Sequence, residues 1–322
     1  MAGSEMDKTV VEEFPGILTV YSDGSITRHP DRPLVPSSEV QPTPHAHAPV
    51  ATSDIVLNPT TGLWARLSLP QCHAENAPLA IHFHGGGFCC GSPAWAAYTH
   101  FVGRMAVATR TVWASVAYRL APEHRLPAAL HDCIDSIFSL ATSSNPWLTG
   151  FDRRRIFLVG DSAGCNLIYH ATLHYADKDL RHQFKIMGLV MLHPGFVKEE
   201  RSASEIDSPE MLALVDSKAR MAVPPGEDKN YFVLNPSVPP AAEVRLPPCL
   251  VVVGGKDLFR DREFEFCEKM EEMGQMLEVV SYDQMGHCFI IGEEGENCAE
   301  AVDLVEKVVS FMERFGGLQN KG

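Results

Sequence analysis

Four short stretches carry residues able to do covalent chemistry at neutral pH: His84-Gly85-Gly86-Gly87, Gly160-Asp161-Ser162-Ala163-Gly164, Gly255-Lys256-Asp257 and Gly286-His287. A serine hydroxyl is a weak nucleophile and needs a base whose pKa lies near neutrality, which a histidine supplies. The imidazole in turn needs a carboxylate to hold its tautomer and to stabilise the imidazolium. Ser162, His287 and Asp257 are the candidates for these roles, in the chain order serine, carboxylate, histidine. Asp261 competes for the carboxylate position. Asp257 is preferred because it follows its apolar run more closely, whereas Asp261 opens a helix-like run in which a first-turn acid has a capping explanation.

The Gly-x-Ser-x-Gly spacing has a mechanical reason. An apolar run through Val159 stops at Gly160, and Ser162–Tyr175 is helix-compatible, so the serine stands at a sharp strand-to-helix turn. Glycines on either side let strand and helix approach closely. The free N–H groups of the helix start favour the negative charge that develops in acyl transfer. Backbone N–H groups of Gly86 and Gly87, with that of Ala163, can converge on the oxyanion of a tetrahedral intermediate. A phosphate cradle is the rival reading of the glycine run, but no Lys-Ser/Thr follows it and its spacing matches neither nucleotide fingerprint.

Holding such groups together takes a sheet whose strands end side by side. The sequence predicts eight strands: an antiparallel pair at 54–58 and 63–69, then runs at 79–84, 111–118, 155–159, 185–192, 249–253 and 277–282. Helices fit at 127–141, 162–175, 260–272 and 298–314, and strand–helix alternation implies a mostly parallel sheet covered on both faces. The reactive groups follow the third, fifth, seventh and eighth of these strands, where open parallel sheets carry their sites. Residues 1–50 read as an N-terminal lid or loop segment and 194–248 as a cap-like insert, on a single domain spanning 1–322.

The balance of 27 Lys+Arg against 41 Asp+Glu gives a net charge of -14, which argues against nucleic-acid and anionic-membrane partners. The first residues carry no apolar leader-like run and no stretch of about eighteen apolar residues occurs, so a cytoplasmic location is expected, with the nucleus also open. The nine cysteines lack C-x-x-C spacing and read as reduced, with Cys133, Cys249 and Cys267 in core contexts and Cys89-Cys90 as small packing residues. His45 and His47 have no cysteine or carboxylate nearby and read as solvated loop residues, so no metal is expected. Asp161 beside the serine reads as stabilising the turn or tuning the site, and the charges of 118–127 as a paired scaffold under the glycine loop.

Taken with Phe88, Tyr118-Arg-Leu-Ala-Pro-Glu-His-Arg-Leu-Pro127 and Cys165-Asn166, these motifs resemble the plant carboxylesterases of the hormone-sensitive-lipase-like group of α/β hydrolases, over roughly residues 15–315. The resemblance implies an α/β-hydrolase fold, no cofactor, a Ser162-Asp257-His287 triad and an oxyanion loop at Gly85, Gly86 and Gly87. It implies a small or medium apolar ester as substrate, with plant hormones and specialised metabolites among the candidates. Gibberellin receptors resemble the same group but lack the histidine and carry a longer N-terminal lid; here His287 is present and the opening segment is short. A hormone receptor with slow or absent turnover, and a dehydratase or cyclase, are the alternatives. Expected pocket walls are Phe14 and Leu18 from the opening segment, Phe88 beside the glycine loop, and Phe196, Met211 and Met221 from the insert. Phe289, just after the histidine, completes that set. The sequence sets no oligomeric state.

Overall fold

The computed structural model describes residues 8–14, 16–29, 34–37, 49–177, 183–236, 245–292 and 298–317. His45 and His47 lie outside them. The opening segment, read from the sequence as a lid or loop, forms a three-stranded antiparallel sheet, β1 (Val10–Phe14), β2 (Leu18–Tyr21) and β3 (Ile26–Arg28). The next two strands, β4 (Val50–Asn58) and β5 (Leu63–Pro70), pair antiparallel around the Asn58–Gly62 turn. Then come β6 (Ala77–Phe83), α1 (Ala96–Thr109), β7 (Trp113–Ala117), α2 (Ala128–Thr142), β8 (Phe151–Asp161) and α3 (Ala163–Asp177). The chain continues through β9 (Lys185–Leu192), α4 (Ala203–Ile206), α5 (Pro209–Ala222), β10 (Cys249–Gly254), α6 (Arg260–Glu272), β11 (Leu277–Tyr282) and α7 (Ala299–Gly316).

Strands β4 to β11 make one sheet in the order β11-β10-β9-β8-β6-β7-β5-β4, parallel from β7 to β11 and antiparallel at β5 and β4. This is the eight-stranded, mostly parallel sheet that the alternation of apolar runs implies, and it agrees with the α/β-hydrolase fold that the resemblance implies. The central strands are buried on both faces, and the period of two sends alternate residues to opposite sides. Ile156 and Leu158 of β8 join the core under α2, α3 and α6, while Phe157 and Val159 join the one under α1 and α7. Helix α7 buries Ala301, Leu304, Val308 and Phe311, the stripe of an amphipathic helix laid on the sheet.

Register then decides where the chain's loops emerge. Phe83 pairs with Gly160, Asp161 with Leu192, Leu192 with Val252, and Gly254 with Tyr282. The C-terminal ends of β6, β8, β9, β10 and β11 therefore finish in step, and the segments that follow them open onto one edge of the sheet.

The insert after β9 contains two helices that the sequence reading leaves unassigned. Helix α4 starts with a capping box, in which Ser202 Oγ accepts from Glu205 N–H and Glu205 Oε2 accepts from Ser202 N–H. Helix α5 begins with Pro209 at its first turn and is tied down by Arg201 and Lys229, both on Asp216. Arg125 donates to the carbonyls of Arg220 and Val223, so the 118–127 segment also holds the end of α5. Among the described residues no helix is long and apolar enough to cross a membrane.

Candidate active site

Ser162 lies between β8 and α3 with φ of +50°, a left-handed conformation that costs a non-glycine residue about 1 kcal/mol or more. Its neighbours explain why the turn is held. A Cβ on Gly164 would stand 1.9 Å from the carbonyl oxygen of Phe83, and one on Gly160 would stand 2.5 Å from the carbonyl carbon of Gly164. The strand and the helix can meet so closely only with glycine at both places. Ser162 N–H donates to the carbonyl of Leu192 at 2.9 Å, and its own carbonyl accepts from Gly195 N–H at 3.1 Å, which binds the elbow to the end of β9.

Asp257 follows β10 and is buried, and its Oδ2 accepts from His287 Nδ1 at 2.6 Å while Oδ1 accepts from Phe259 N–H at 3.0 Å. Burial alone would raise this carboxyl; the charge of His287 and the nearby imidazole N–H groups outweigh it and hold it well below the ordinary carboxylate range. Asp257 thus stays ionised and is placed to accept from a proton-bearing Nδ1 of His287. Asp261, the rival, points elsewhere: its carboxylate accepts from Ser204 N–H at 2.8 Å and pairs with Arg260. Ser162 and His287 line the same cavity, with no hydrogen bond closed between Oγ and the imidazole; such contacts tighten when substrate is bound.

The glycine loop divides by function. Gly85 N–H donates to Asp161 Oδ2 at 2.9 Å, so it is spent on the scaffold and does not face an oxyanion. The N–H groups of Gly86, Gly87 and Ala163 are engaged by no other described residue, and all three residues line the cavity beside Ser162. Gly86 takes φ of +115°, and a Cβ there would meet the Cys90 carbonyl oxygen at 2.2 Å. Asp161 orders this loop: besides Gly85, it accepts from Tyr98 O–H at 3.0 Å and meets His82 Nε2 at 3.0 Å, with all of these groups buried. The 118–127 segment supports the same loop from outside. Arg28 pairs with Glu123 through two nitrogens and donates to the carbonyls of Cys89 and Ala121.

The cavity above Ser162 has a volume of about 340 Å³ and mostly apolar walls. Of the expected wall residues, Phe88 and Met211 line it. Phe14, Leu18 and Met221 do not: they are buried in the core, where apolar side chains without a cavity to face end up. Phe196 packs on Phe266 under a separate groove, and Phe289 packs on His193 and Tyr282. The remaining walls come from residues the sequence reading passes over, among them Leu214, Val215 and Lys218 of α5 and Leu258 and Phe259 after β10. Met211, Leu214, Val215, Lys218 and Ala219 repeat at helical spacing, a signal that was available in the insert.

His193 was also legible by position, since it directly follows β9 as the other site groups follow their strands. Its Nδ1 stands 3.3 Å from Asp257 Oδ2, at an angle short of a full hydrogen bond, and burial lowers its pKa against the pull of Asp257. Glu263 of α6 is buried within the same group of side chains, where His193, Asp257, Glu263 and His287 offer atoms all within 4.8 Å of one another. Burial first, and the charge of Asp257 second, push the Glu263 carboxyl well above its ordinary range, so it holds its proton to higher pH than a solvated glutamate does.

Comparison with known proteins agrees with the architecture. Residues 80–291 match the family model described as alpha/beta hydrolase fold. Probable carboxylesterase 6 of Arabidopsis thaliana is 32% identical over 98% of this chain and 95% of its own, and 2-hydroxyisoflavanone dehydratase of Glycyrrhiza echinata is 31% identical over 95% and 97%. Among solved structures, the hyperthermophilic esterase from Pyrobaculum calidifontis superposes with a TM-score of 0.72 at 25% identity, covering 82% of this chain and 85% of that one. These matches define an α/β hydrolase of carboxylesterase type. Within that class, the chain belongs to the hormone-sensitive-lipase-like plant carboxylesterases, enzymes that hydrolyse ester bonds.

Proposed function

We propose that the chain hydrolyses small to medium, largely apolar carboxylic esters through an acyl-enzyme on Ser162. The observation that carries this reading is the 2.6 Å bond from His287 Nδ1 to buried Asp257, on a cavity that Ser162 shares with His287. Ser162 Oγ attacks the ester carbonyl as His287 Nε2 takes its proton. The oxyanion rests on the N–H groups of Gly86, Gly87 and Ala163, with Gly85 holding the loop from below. His287 then gives the proton to the departing alcohol, and water repeats the sequence to release the acid and restore Ser162. The cavity of about 340 Å³ suits an ester of modest size.

The test is release of p-nitrophenol from short and medium p-nitrophenyl esters by the purified protein and by Ser162→Ala. Many turnovers are expected, reduced on the order of 10⁴-fold or more in the variant. A Ser162→Ala protein that kept most of the activity would remove Ser162 from the chemistry. The likeness to 2-hydroxyisoflavanone dehydratase supports a second reading, in which the same base abstracts a proton for elimination of water. Products of that reaction would show loss of water without separate acid and alcohol.

A further inference from the structure

The walls of the cavity above Ser162 contain one side chain at odds with an apolar ester. Lys218 projects from α5 across the glycine loop, and its Cδ lies 2.9 Å from where a Cβ on Gly87 would stand, so its stem rests on the backbone that flanks the oxyanion site. Its Nζ reaches Cys90 Sγ at 3.8 Å, a weak acceptor.

The insert's other cations are treated differently. Lys198 pairs with Glu265, Arg201 and Lys229 with Asp216, and Arg220 with Glu12. Lys218 alone, among the five cationic side chains of described residues 194–236, has no carboxylate partner. This happens in a chain of net charge -14, in which acidic partners outnumber cations. The Lys218 ammonium stands half-buried beside apolar walls such as Phe88, Leu214 and Val215 without a carboxylate of its own, so an anion entering the cavity would meet an unspent positive charge there.

Resting on the ester-hydrolase reading of this cavity, we propose that the substrate is an ester bearing a free carboxylate, and that Lys218 recognises that carboxylate while the apolar walls hold the rest. Lys218 is then the specificity-determining residue of the site. The carboxylate sits either on the acyl chain or on the alcohol, and matched esters separate the two. The acyl pair is mono-p-nitrophenyl adipate and its methyl ester. The alcohol pair is 4-carboxyphenyl hexanoate and 4-(methoxycarbonyl)phenyl hexanoate. Within each pair the two compounds differ by one methyl group and the charge it removes.

The readout is the ratio of kcat/KM for the acid over its methyl ester, in wild type and in Lys218→Gln, Lys218→Glu and Lys218→Arg. In one pair the wild-type ratio should be about 10 or more, the scale of a charge-assisted contact. It should fall near one in Lys218→Gln, invert in Lys218→Glu and return in Lys218→Arg. A wild-type ratio near one in both pairs, or a ratio unchanged in Lys218→Gln, overturns the proposal. Binding is measured in parallel by calorimetry, with each acid and methyl ester titrated into Ser162→Ala and into the Ser162→Ala, Lys218→Gln double variant. Preference for the acid, lost in the double variant, supports the role of Lys218 even if no ester is turned over, an outcome that would refute hydrolysis alone. Equal binding of acid and methyl ester refutes the role of Lys218 whatever the turnover.

Discussion

Glu263 offers a test of the site's electrostatics that needs no substrate. Both of its carboxyl oxygens are buried, close behind Asp257. Burial and the charge of Asp257 hold its pKa well above the ordinary value, whereas in the unfolded chain it is about 4.3. Between those two values the native state keeps a proton that the unfolded state has released. Stability contributed by this group is therefore full below about pH 4.3 and falls as pH rises, by about 1.4 kcal/mol for every pH unit until the folded value is passed. Glu263→Gln keeps the shape and removes the titration. The unfolding free energy of the variant minus that of wild type should climb as pH rises from 5 to 7, at up to about 1.4 kcal/mol per pH unit, read from urea melts at three pH values. Any constant cost of seating the amide cancels in that slope. The low pKa of Asp257 does not enter, because the stability it contributes is complete above about pH 4 and is lost only as pH falls through its folded value. A difference that stays flat from pH 5 to pH 7 would mean that Glu263 ionises normally in the folded protein, and the account of this buried cluster would fail.

Asp257→Asn should lower kcat on the order of 10⁴-fold, because an amide can hold the wrong imidazole tautomer, while Asp261→Asn should cost only about 1 kcal/mol of stability at the α4–α6 contact. Reversal of these two effects in parallel kinetics and melts would exchange the two acids. Asp161→Asn replaces charged acceptors of Gly85 N–H and Tyr98 O–H with neutral ones, each worth about 1.5–3 kcal/mol, and should lower kcat roughly 10- to 100-fold with less effect on KM. Unchanged kcat in that variant would show that the glycine loop keeps its position without the carboxylate.

What was legible in the sequence follows from what period and spacing encode. The sheet could be read because each central strand is a short apolar run, and the reactive groups could be placed because they follow those runs directly. Gly85 illustrates the limit: its spacing is that of an oxyanion donor, yet its N–H turns to Asp161, a residue 76 positions away in sequence. Phe14, Leu18 and Met221 show a second limit, since an apolar side chain in a core and one on a pocket wall have the same sequence signature. Helix α5 was hidden by its mixed polarity, which arises because one stripe faces a cavity instead of a core and other positions carry Asp216 and Arg220 for ion pairs.

In the proposed mechanism, two buried carboxylates divide the labour of the site. Asp161 ends β8 and fixes the donor half, through Gly85 and the loop that bears Gly86 and Gly87; Asp257 follows β10 and fixes the base half, through His287. Each is joined to its half by short hydrogen bonds in a buried setting, where an interaction is stronger than in water and an unpaired charge is costly. The aligned ends of β8, β9 and β10 set the separation of the halves, and Cys288, next to His287, reaches back to within 4.0 Å of Asp161. Neither half can drift without exposing a buried charge to an apolar surrounding. On that mechanism, donors and base are oriented by the folding of the sheet before an ester arrives, and the substrate need supply only the energy to enter the cavity.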